Sequence, residues 1–459
     1  MGPIHIIASR TGAPSIMIRF HFQPALMSIA SVSPPAAVSA PVAGSVRRAC
    51  RATLLVVLLG ALLPGAPAAA RQQPVERQLR IVTFNAEHFM SPARFEAWRR
   101  FCAPLRWREP GELRAKGQSV PRRPEALTYC NALDGSDGRG RAIFAPVRDQ
   151  ARWQTKTDAI AALLRSADAD IVLLQEVSDA EAARILLGPG YRVASTAELW
   201  HGHEIGQNLA IGWRPDVGVT SAMVTRTGAG APDPLDARLE LVEAISQAGP
   251  DGRRTRPGLA LILELGGGRR LAILNLHLKA GCRQGRLDEV TSRAPERAFR
   301  RREACAVFRQ QVPPLERWAD EKLRDGYGVV IAGDFNRDLL REIRERMPAR
   351  SDGSDAARTA SPARIASLVA ELSDEDPPAA WFSLVRSGRY SQLADCHRRI
   401  DNFLLSRNLE PWLAAPLSRL ATVVVPFGEP VSLDRPRPSD HCPHLLRLPL
   451  RPADPAGRR

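Results

Sequence analysis

Several apolar runs of this chain stop at a short cluster of polar residues, and this recurrence constrains the fold more than any other feature. The runs that do so are residues 79–84, 170–174, 271–274 and 328–332, and they are followed by Asn85, Glu176, His277 and Asp334 respectively. Loops at a common edge of a sheet converge in space. The pattern therefore predicts one functional edge where polar residues from distant parts of the chain meet.

The spacing of apolar residues predicts a layered α/β fold. Residues 149–166 have the periodicity of a helix with one apolar face, whereas runs such as 170–174 are apolar on both faces, as buried strands are. Such an arrangement is typical of stacked sheets covered by helices. Further predicted elements are strands at 208–213, 259–265, 403–405 and 420–425, and a helical stretch from Pro295 to Arg324 with a break at Pro313-Pro314.

The first seventy of the 459 residues predict a signal peptide with an N-terminal extension. Residues 1–70 contain no acidic residue, and Arg47, Arg48 and Arg51 precede the apolar run 54–63, which ends in an Ala-x-Ala site at 68–70. Because a confident membrane-spanning helix needs ~20 residues, an uncleaved anchor is the lesser alternative. We expect cleavage after Ala70, a periplasmic or secreted protein, and no stable membrane association afterwards.

Composition restricts the class of protein. Hydrophobic residues make up 44% and charged residues 25%, which argues against wholesale disorder, collagen or a polytopic membrane protein. The net charge is +15, and losing the five Arg of residues 1–70 would lower it by five to +10. Such a charge suits a polyanionic partner, although aromatic residues at 5% disfavour a stacking platform for single strands.

The residue types at the predicted edge indicate phosphate-ester chemistry. They combine oxygen donors with imidazoles, namely Asn85, Glu87, Glu176, Asp334, Asn336 and Asp440 with His277 and His441. Carboxylate and amide oxygens suit Mg²⁺ or Mn²⁺ rather than a metal bound by thiolates. A divalent cation near a carboxylate or histidine that moves a proton is a common arrangement for cleaving phosphate esters.

Six motifs together resemble the endonuclease/exonuclease/phosphatase superfamily, which has the deoxyribonuclease I-like fold. In chain order they are Phe84-Asn85, Gln175-Glu176, Asn275-x-His277, Gly333-Asp334-Phe335-Asn336, Ile400-Asp401 and Ser439-Asp440-His441. The resemblance spans Arg80 to Pro443. It implies one domain over residues 71–450, with insertions at 91–148 and 337–395 and a disordered tail at 451–459. The implied fold is a four-layer α-β-β-α sandwich of two mixed sheets.

The resemblance also implies roles for individual residues. Glu176 matches the main metal ligand, with Asn85 and Asp440 beside the metal, and His441 matches the catalytic imidazole, oriented by Asp401. The residues implied to orient water or hold phosphate are Asp334, Asn336 and His277. The alternatives are a solvated strand end for Glu176, an Asx turn for Asn85 and a core histidine for His277.

Four further positions are weaker candidates for contact with the substrate phosphate. Glu87 stands where some family members have an acidic residue, but turn surface is nearly as good an interpretation. Lys279, His203 and Asn208 are the other three, with a solvated lysine and a plain polar loop as the alternatives. His201 is a further candidate for the same loop position as His203 and Asn208.

The function predicted from these residues is that of an exported, Mg²⁺-dependent phosphodiesterase, with Mn²⁺ as the alternative ion. Water attacks phosphorus in line, and either Asp334 or His441 is the general base. The preferred substrate is nucleic acid, DNA in particular, and no protein partner is inferred. The alternatives are a lipid or small-molecule phosphodiesterase, such as a sphingomyelinase- or inositol-phosphate-like enzyme, and an inactive binding protein of the same fold.

Six cysteines follow the predicted signal peptide, an even number that suggests disulfides in an exported chain. Six cysteines allow fifteen connectivities. The motif map of the resemblance suggests Cys396–Cys442 first, because their strands should be neighbours. It further suggests Cys282–Cys305, which flank the loop after His277. The third suggested pair is Cys102–Cys130, because both cysteines lie in the insertion 91–148.

Overall fold

The apolar runs of the sequence form strands in the computed structural model, which describes residues 77–104, 124–135, 143–215, 217, 238–265, 267–288, 295–346, 365–387, 399–427 and 434–451. All of these residues belong to one compact unit, Arg71–Arg459. The predicted signal peptide and most of the predicted tail lie outside the described residues.

The strands in the described part are, in chain order, β1 (Arg77–Phe89), β2 (Ile171–Val177), β3 (Arg192–Ser195), β4 (Asn208–Trp213), β5 (Arg238–Val242), β6 (Gly258–Glu264), β7 (Arg270–His277), β8 (Gly328–Asp334), β9 (Phe382–Leu384), β10 (Arg386–Ser387), β11 (Asp401–Ser406), β12 (Ala421–Val424) and β13 (His444–Leu450).

The strands form two mixed sheets. The first has the order β10-β12-β13-β1-β2-β4-β3, and the second has the order β5-β6-β7-β8-β11-β9. The pairs β1–β2 and β7–β8 are parallel, so the carboxyl ends of each pair lie at one edge, while β11 runs antiparallel to β8. The strand ends that carry the polar motifs are therefore neighbours within each sheet.

Helices cover the outer faces of both sheets. The described helices are α1 (Pro92–Cys102), α2 (Gln150–Ala167), α3 (Ala180–Leu187), α4 (Thr196–Leu199), α5 (Pro295–Arg324), α6 (Leu339–Arg344) and α7 (Leu368–Glu371). Helix α2 begins where Asp149 accepts a hydrogen bond from the backbone N–H of Arg152, which satisfies one donor of the first turn. Side chains of α1, α2 and α3 pack on the first sheet, and those of α5 and α7 pack on the second.

The inner faces of the two sheets form a common core. Ile81 and Leu173 of the first sheet belong to the same buried cluster as Leu261, Ile273 and Phe403 of the second. With the helices outside, the layers run α-β-β-α, which confirms the predicted four-layer sandwich of two mixed sheets. Two further buried clusters lie between the helices and the outer faces of the sheets, so each of the three interfaces between layers is apolar and stabilises the fold through burial.

Helix α5 differs from its prediction. The break expected at Pro313-Pro314 is wrong, because α5 continues through both prolines to Arg324. A proline inside a helix costs ~3 kcal/mol through its missing donor and its ring. Here the buried face of α5 offsets that cost, since Phe308, Val312 and Leu315 are fully buried against the second sheet.

Two of the three predicted disulfides are present. Cys102 is bonded to Cys130, with their Cα atoms 5.5 Å apart, and Cys282 is bonded to Cys305, with 4.9 Å between Cα atoms. Cys442 is disulfide-bonded as well. Its predicted partner Cys396 lies outside the described residues, so that pairing stays a prediction.

Within the described residues, none of the helices combines the length and the apolar character that crossing a bilayer requires.

Candidate active site

The polar strand ends meet where the edges of the two sheets adjoin, and the strand registers place them together. In the first sheet Asn85 of β1 is paired with Gln175 of β2. In the second sheet Asp334 of β8 is paired with His277 of β7 on one side and Asp401 of β11 on the other. The register of the second sheet thus places an imidazole and two carboxylates in adjacent strands.

The backbone bends sharply at several of these strand ends. Glu87, His88, Glu176 and Asn336 all have a positive φ, between 48° and 59°. Each such residue costs ~1–3 kcal/mol and persists only where its surroundings hold it, and these residues tend to cluster at functional sites. The register shifts in β1 and β2 occur at the same places, next to Asn85 and Gln175. Of these four residues, His88, Glu176 and Asn336 line the cleft described below.

A cleft of about 590 Å³ opens over this edge. Glu176, His277, Asp334 and Asn336 line its floor. The volume falls within the usual range of ~300–1,000 Å³ for sites that hold small ligands.

Glu176 lies at the centre of a group of hydrogen-bond donors. Its Oε2 accepts the backbone N–H of His88 at 3.2 Å and lies 3.3 Å from Nδ1 of the same residue. Its Oε1 lies 3.6 Å from Nε2 of His277. Burial alone would raise the pKa of Glu176, but its electrostatic interactions with His88, His277 and the guanidinium of Arg256 lower that pKa below its usual range. Glu176 is therefore an ionised carboxylate at neutral pH.

Asp334 is buried and held on both oxygens. Oδ2 accepts from Nδ2 of Asn85 at 3.1 Å and Oδ1 accepts from the backbone N–H of Asn336 at 2.7 Å. Nε2 of His277 lies 3.5 Å from Oδ2. Burial raises the pKa of Asp334 well above its usual range, against the opposing charge of His441. A carboxylate in this condition is a stronger base than an exposed one.

His277 lies between two carboxylates. Its Nε2 faces both Glu176 and Asp334, while its buried Nδ1 has no hydrogen-bond partner among the described residues. Burial, with the charge of Arg256, lowers the pKa of His277 well below its ordinary value, so the ring is neutral at neutral pH. His277 therefore contacts the carboxylates of both Glu176 and Asp334 through the same ring nitrogen.

His441 is held by Asp401. Nδ1 of His441 lies 2.6 Å from Oδ2 of Asp401, and both side chains are buried. Nε2 of His441 lies 3.9 Å from Oδ2 of Asp334 and 3.7 Å from Oδ1 of Asp440. Burial alone would lower the pKa of His441, but the carboxylates of Asp401 and Asp440 raise it above its ordinary value. The imidazole therefore carries a proton at neutral pH.

The segment that carries His441 is anchored to β1. The hydroxyl of Ser439 donates to the backbone carbonyl of Asn85 at 2.7 Å, and the same oxygen accepts from the backbone N–H of His441 at 3.0 Å. Ser439 thereby fixes the approach of His441 to the end of β1.

These residues offer donor atoms suited to a divalent cation. Asp334, Asp401 and His441 have possible ligand atoms that all lie within 4.8 Å of one another. Oδ2 of Asp401 and Nδ1 of His441 are hydrogen-bonded to each other. The remaining carboxylate oxygens are therefore the better ligands for a cation. The crowding of Glu176 and Asp440 with these two aspartates places several negative charges in a buried space, and positive charge is favoured there.

A family model for the endonuclease/exonuclease/phosphatase family matches residues 147–441, which is more than half of the chain. This chain belongs to that family. Members are typically metal-dependent phosphoesterases and nucleases. The comparison with curated proteins found no match.

Solved structures of this family resemble the chain at low sequence identity. They include a humanized D. rerio TDP2 (12% identity, 81% of this chain and 98% of that chain, TM-score 0.36). A second is an endonuclease/exonuclease/phosphatase family protein from Bacteroides thetaiotaomicron (13% identity, 81% of this chain and 98% of that chain, TM-score 0.38). A third is the AP endonuclease LMAP from Leishmania major (14% identity, 81% of this chain and 88% of that chain, TM-score 0.34).

The weaker candidates lie in varied surroundings. Asn208 is buried, and its Nδ2 donates to the carbonyls of Ser178 and Ile205 at 2.8 and 2.9 Å, so its amide holds the loop before β4. The exposed ring of His203 lies 4.2 Å from that of Trp200. Lys279 lines the cleft and is half-buried. Of these three, the structure brings only Lys279 to the cleft.

Glu87 has a pair of cationic partners. Its Oε2 accepts from Nζ of Lys156 on α2 at 3.1 Å, and its Oε1 accepts from the guanidinium of Arg437 at 2.8 Å. Burial alone would raise the pKa of Glu87, but the charges of Arg437 and Lys156 lower it to about 2. The carboxylate thus joins α2 to the segment before His441, and its oxygens point toward these cations.

Several residues of the site escaped the sequence analysis. His88 holds Glu176, and Gln207 donates from Nε2 to Nδ1 of His88 at 2.8 Å. The adjacency of His88 to Glu87 was the one available signal for it. Lys156 and Arg437 gave no signal, because a basic residue on a helix or in a Pro-rich loop normally faces solvent.

Proposed function

We propose that this chain hydrolyses phosphodiester bonds with the help of a divalent cation, and that its substrate is DNA. The observation that carries the proposal is the meeting of Glu176, Asp334 and the His441–Asp401 pair at one buried edge beneath an open cleft. A protein that only binds has no chemical need for an ionised carboxylate, a basic carboxylate and a protonated imidazole together.

Glu176 is the residue best suited to hold the cation, with Asn85 and Asp440 as additional ligands. Its pKa is lowered, so its carboxylate is available at neutral pH without loss of a proton. Oxygen ligands of this kind favour Mg²⁺, with Mn²⁺ as the alternative. When bound, the cation supplies positive charge that offsets the charge developing on the phosphate oxygens.

Asp334 is the proposed general base. Hydrogen bonds from Asn85 and Asn336 fix both of its oxygens, and its raised pKa favours accepting a proton from an attacking water. His441 keeps its proton because of Asp401, so it serves as the cationic donor toward phosphate or the leaving oxygen. His277 and the amide of Asn336 hold the carboxylate and the phosphate in place for in-line attack.

The preference for DNA rests on charge and space. The net charge is +15 for the full chain and +10 without residues 1–70, and a positive charge of this size suits a polyanion. Four basic residues line the cleft, namely Arg253, Arg254, Arg256 and Lys279, although Glu125, Asp251 and Glu303 line it as well. Binding through phosphate contacts would be strongly weakened by salt.

We also propose that the protein is exported. The proposal rests on the signal-like pattern of residues 1–70 and is supported by the disulfides Cys102–Cys130 and Cys282–Cys305, since disulfides persist in oxidising compartments. N-terminal sequencing of the protein purified from a cell envelope or medium fraction would give Arg71 as the first residue. A cytoplasmic protein that retains residues 1–70 would contradict export.

The activity is tested with a panel of substrates. Purified protein is given plasmid DNA, RNA, sphingomyelin and a generic phosphodiester, each with Mg²⁺ or with EDTA. We expect nicking of plasmid with Mg²⁺ and none with EDTA. Cleavage of sphingomyelin alone would favour the lipid enzyme, and no turnover of any substrate would contradict the proposal in favour of a binding protein.

Variants assign the activity to the site. Glu176→Ala, Asp334→Ala and His441→Ala should each lower turnover by a factor of at least ~10² while the far-UV circular dichroism is unchanged. Asp158→Asn, at an exposed position of α2, is the control and should retain full activity. Turnover like that of the wild type in all three site variants would refute the assignment.

A further inference from the structure

The cleft extends beyond the catalytic residues to a rim made by two separate segments. One is the segment 124–130, which contributes Glu125, Thr128 and Tyr129 to the lining, and the other is the hairpin between β5 and β6, which contributes residues 249–256. Tyr129 precedes the family match at 147–441 and lies in the predicted insertion 91–148. The segment that carries Tyr129 therefore lies outside the family match, whereas the hairpin lies within it.

The segment that carries Tyr129 is firmly held. The disulfide Cys102–Cys130 attaches it to α1, and Nε1 of Trp98 donates to the backbone carbonyl of Tyr129 at 3.3 Å. Its backbone passes so close to Gly206 that a Cβ there would lie 2.6 Å from the carbonyl carbon of Leu127. Tyr129 nevertheless remains 45% exposed and lines the cleft.

The same segment is connected to the catalytic residues. Oγ1 of Thr128 lies 2.8 Å from Nδ1 of His88, whose backbone N–H donates to Glu176. The ring of Tyr129 thus occupies a fixed position relative to the carboxylate proposed to hold the cation.

The hairpin meets Tyr129 from the other side. Its backbone is closed by the bridge between Ala248 and Arg254 and by a hydrogen bond from Gly249 N–H to the carbonyl of Arg253 at 2.7 Å. Nη1 of Arg253 lies 3.4 Å from the hydroxyl of Tyr129, and the Arg253 side chain is 38% exposed. Asp251 lies 3.8 Å from the same guanidinium and offsets part of its charge. The rim therefore offers an aromatic ring next to a guanidinium whose charge is partly offset.

We propose that Tyr129, supported by Arg253, forms a subsite that stacks on one base of a nucleic-acid substrate next to the phosphate being cleaved. The inference rests on the proposed function and names a further contact for its substrate. Stacking of a base on an aromatic side chain contributes ~1–3 kcal/mol and tolerates any base. One exposed ring is enough for one base, and this is consistent with the low aromatic content of the chain.

The test compares substrates with and without the base. Wild type, Tyr129→Ala and Tyr129→Phe are assayed for KM on a short single-stranded oligonucleotide and on the same oligonucleotide with an abasic position. Trp381→Ala is the matched control, because Trp381 is also an exposed aromatic, 38% exposed beside the guanidinium of Arg407, but does not line the cleft. Dissociation constants for the oligonucleotide are measured by fluorescence anisotropy in parallel.

Tyr129→Ala should raise KM and Kd for the oligonucleotide ~10-fold, as the loss of one stacked base predicts. The effect should disappear on the abasic oligonucleotide, while Tyr129→Phe and Trp381→Ala should behave like the wild type. Equal Kd values for wild type and Tyr129→Ala would overturn the subsite whatever the turnover. Absence of turnover by the wild type, with Kd still raised by Tyr129→Ala, would refute the phosphodiesterase proposal and leave the subsite standing.

Discussion

Replacing Glu87 with glutamine tests whether this buried carboxylate holds the site together or takes part in binding the cation. Glu87 joins Lys156 of α2 to Arg437, which precedes His441 by four residues. Its pKa is lowered from 4.5 to about 2, and at 1.36 kcal/mol for each pKa unit the ionised form contributes ~3 kcal/mol to folding. Glu87→Gln should therefore lower the free energy of unfolding at pH 7 by ~3–5 kcal/mol, since the buried Lys156 and the partly buried Arg437 lose their counter-charge.

The pH dependence of this effect has a defined sign. The folded-state pKa of Glu87 lies below its unfolded value, so the stabilisation is fully present above about pH 4.5 and is lost as pH falls toward 2. The difference in urea midpoint between wild type and Glu87→Gln should be large at pH 7 and should shrink steadily below pH 4.5. Glu96→Gln is the control, because Glu96 also pairs with two arginines but on the exposed face of α1, where ion pairs contribute little.

The same variant distinguishes the two roles of Glu87. If Glu87 positions the His441 segment, turnover falls while the Mg²⁺ concentration that gives half-maximal activity stays within about twofold of wild type. A stability equal to that of wild type at pH 7 would refute the positioning role. So would normal stability together with a Mg²⁺ requirement raised ~10-fold or more, which is the effect expected when a group that supports metal binding is lost.

Three further predictions follow from the geometry. Asp401→Asn removes the carboxylate that lies 2.6 Å from His441. Opposite charges about 4 Å apart attract by ~4 kcal/mol at an effective dielectric of ~20, and losing that energy from the transition state should lower turnover ~10³-fold. Asp401 raises the pKa of His441, so its loss should shift the alkaline limb of the pH–rate profile to lower pH. An unchanged profile would contradict the role of the pair. Asn275→Ala removes the buried amide whose Nδ2 donates to the carbonyls of Leu174 and Ala210, so urea denaturation should show a loss of ~1–3 kcal/mol. The double variant Cys282→Ser/Cys305→Ser should lose ~3 kcal/mol of stability under non-reducing conditions, and an unchanged midpoint would show that this 23-residue loop needs no cross-link.

Much of the fold could be predicted from the sequence because burial imposes a local pattern. The strand at 208–213 was predicted with the bounds that β4 has, and the helix at 149–166 differs from α2 by one residue at each end. The break predicted at Pro313-Pro314 failed because the local cost of proline competes with packing of the same helix on a sheet. Only the tertiary structure decides which of the two is larger.

The site was predictable where its residues end strands, and much less so elsewhere. Asp334, His277 and Asp401 are neighbours by strand register, which the alternation of apolar runs and polar ends anticipates. The partners of Glu87 were not predictable, since Arg437 lies 350 residues away and belongs to an irregular loop.

Two motif residues serve the sandwich itself. Nε2 of Gln175 donates to Oδ1 of Asn275 at 2.7 Å, which connects β2 of the first sheet to β7 of the second. A strand-end amide that bridges two sheets and one that contacts a substrate have the same appearance in a sequence.

The central claim is that Glu176, Asp334 and His441 form one site that binds a divalent cation. Anomalous diffraction from crystals soaked in Mn²⁺ tests it most directly. The account predicts a strong peak within coordination distance of Glu176, on the side that faces Asp334 and Asp440. A single strong peak elsewhere on the molecule, or no peak in crystals of protein that cleaves DNA with Mn²⁺, would contradict it.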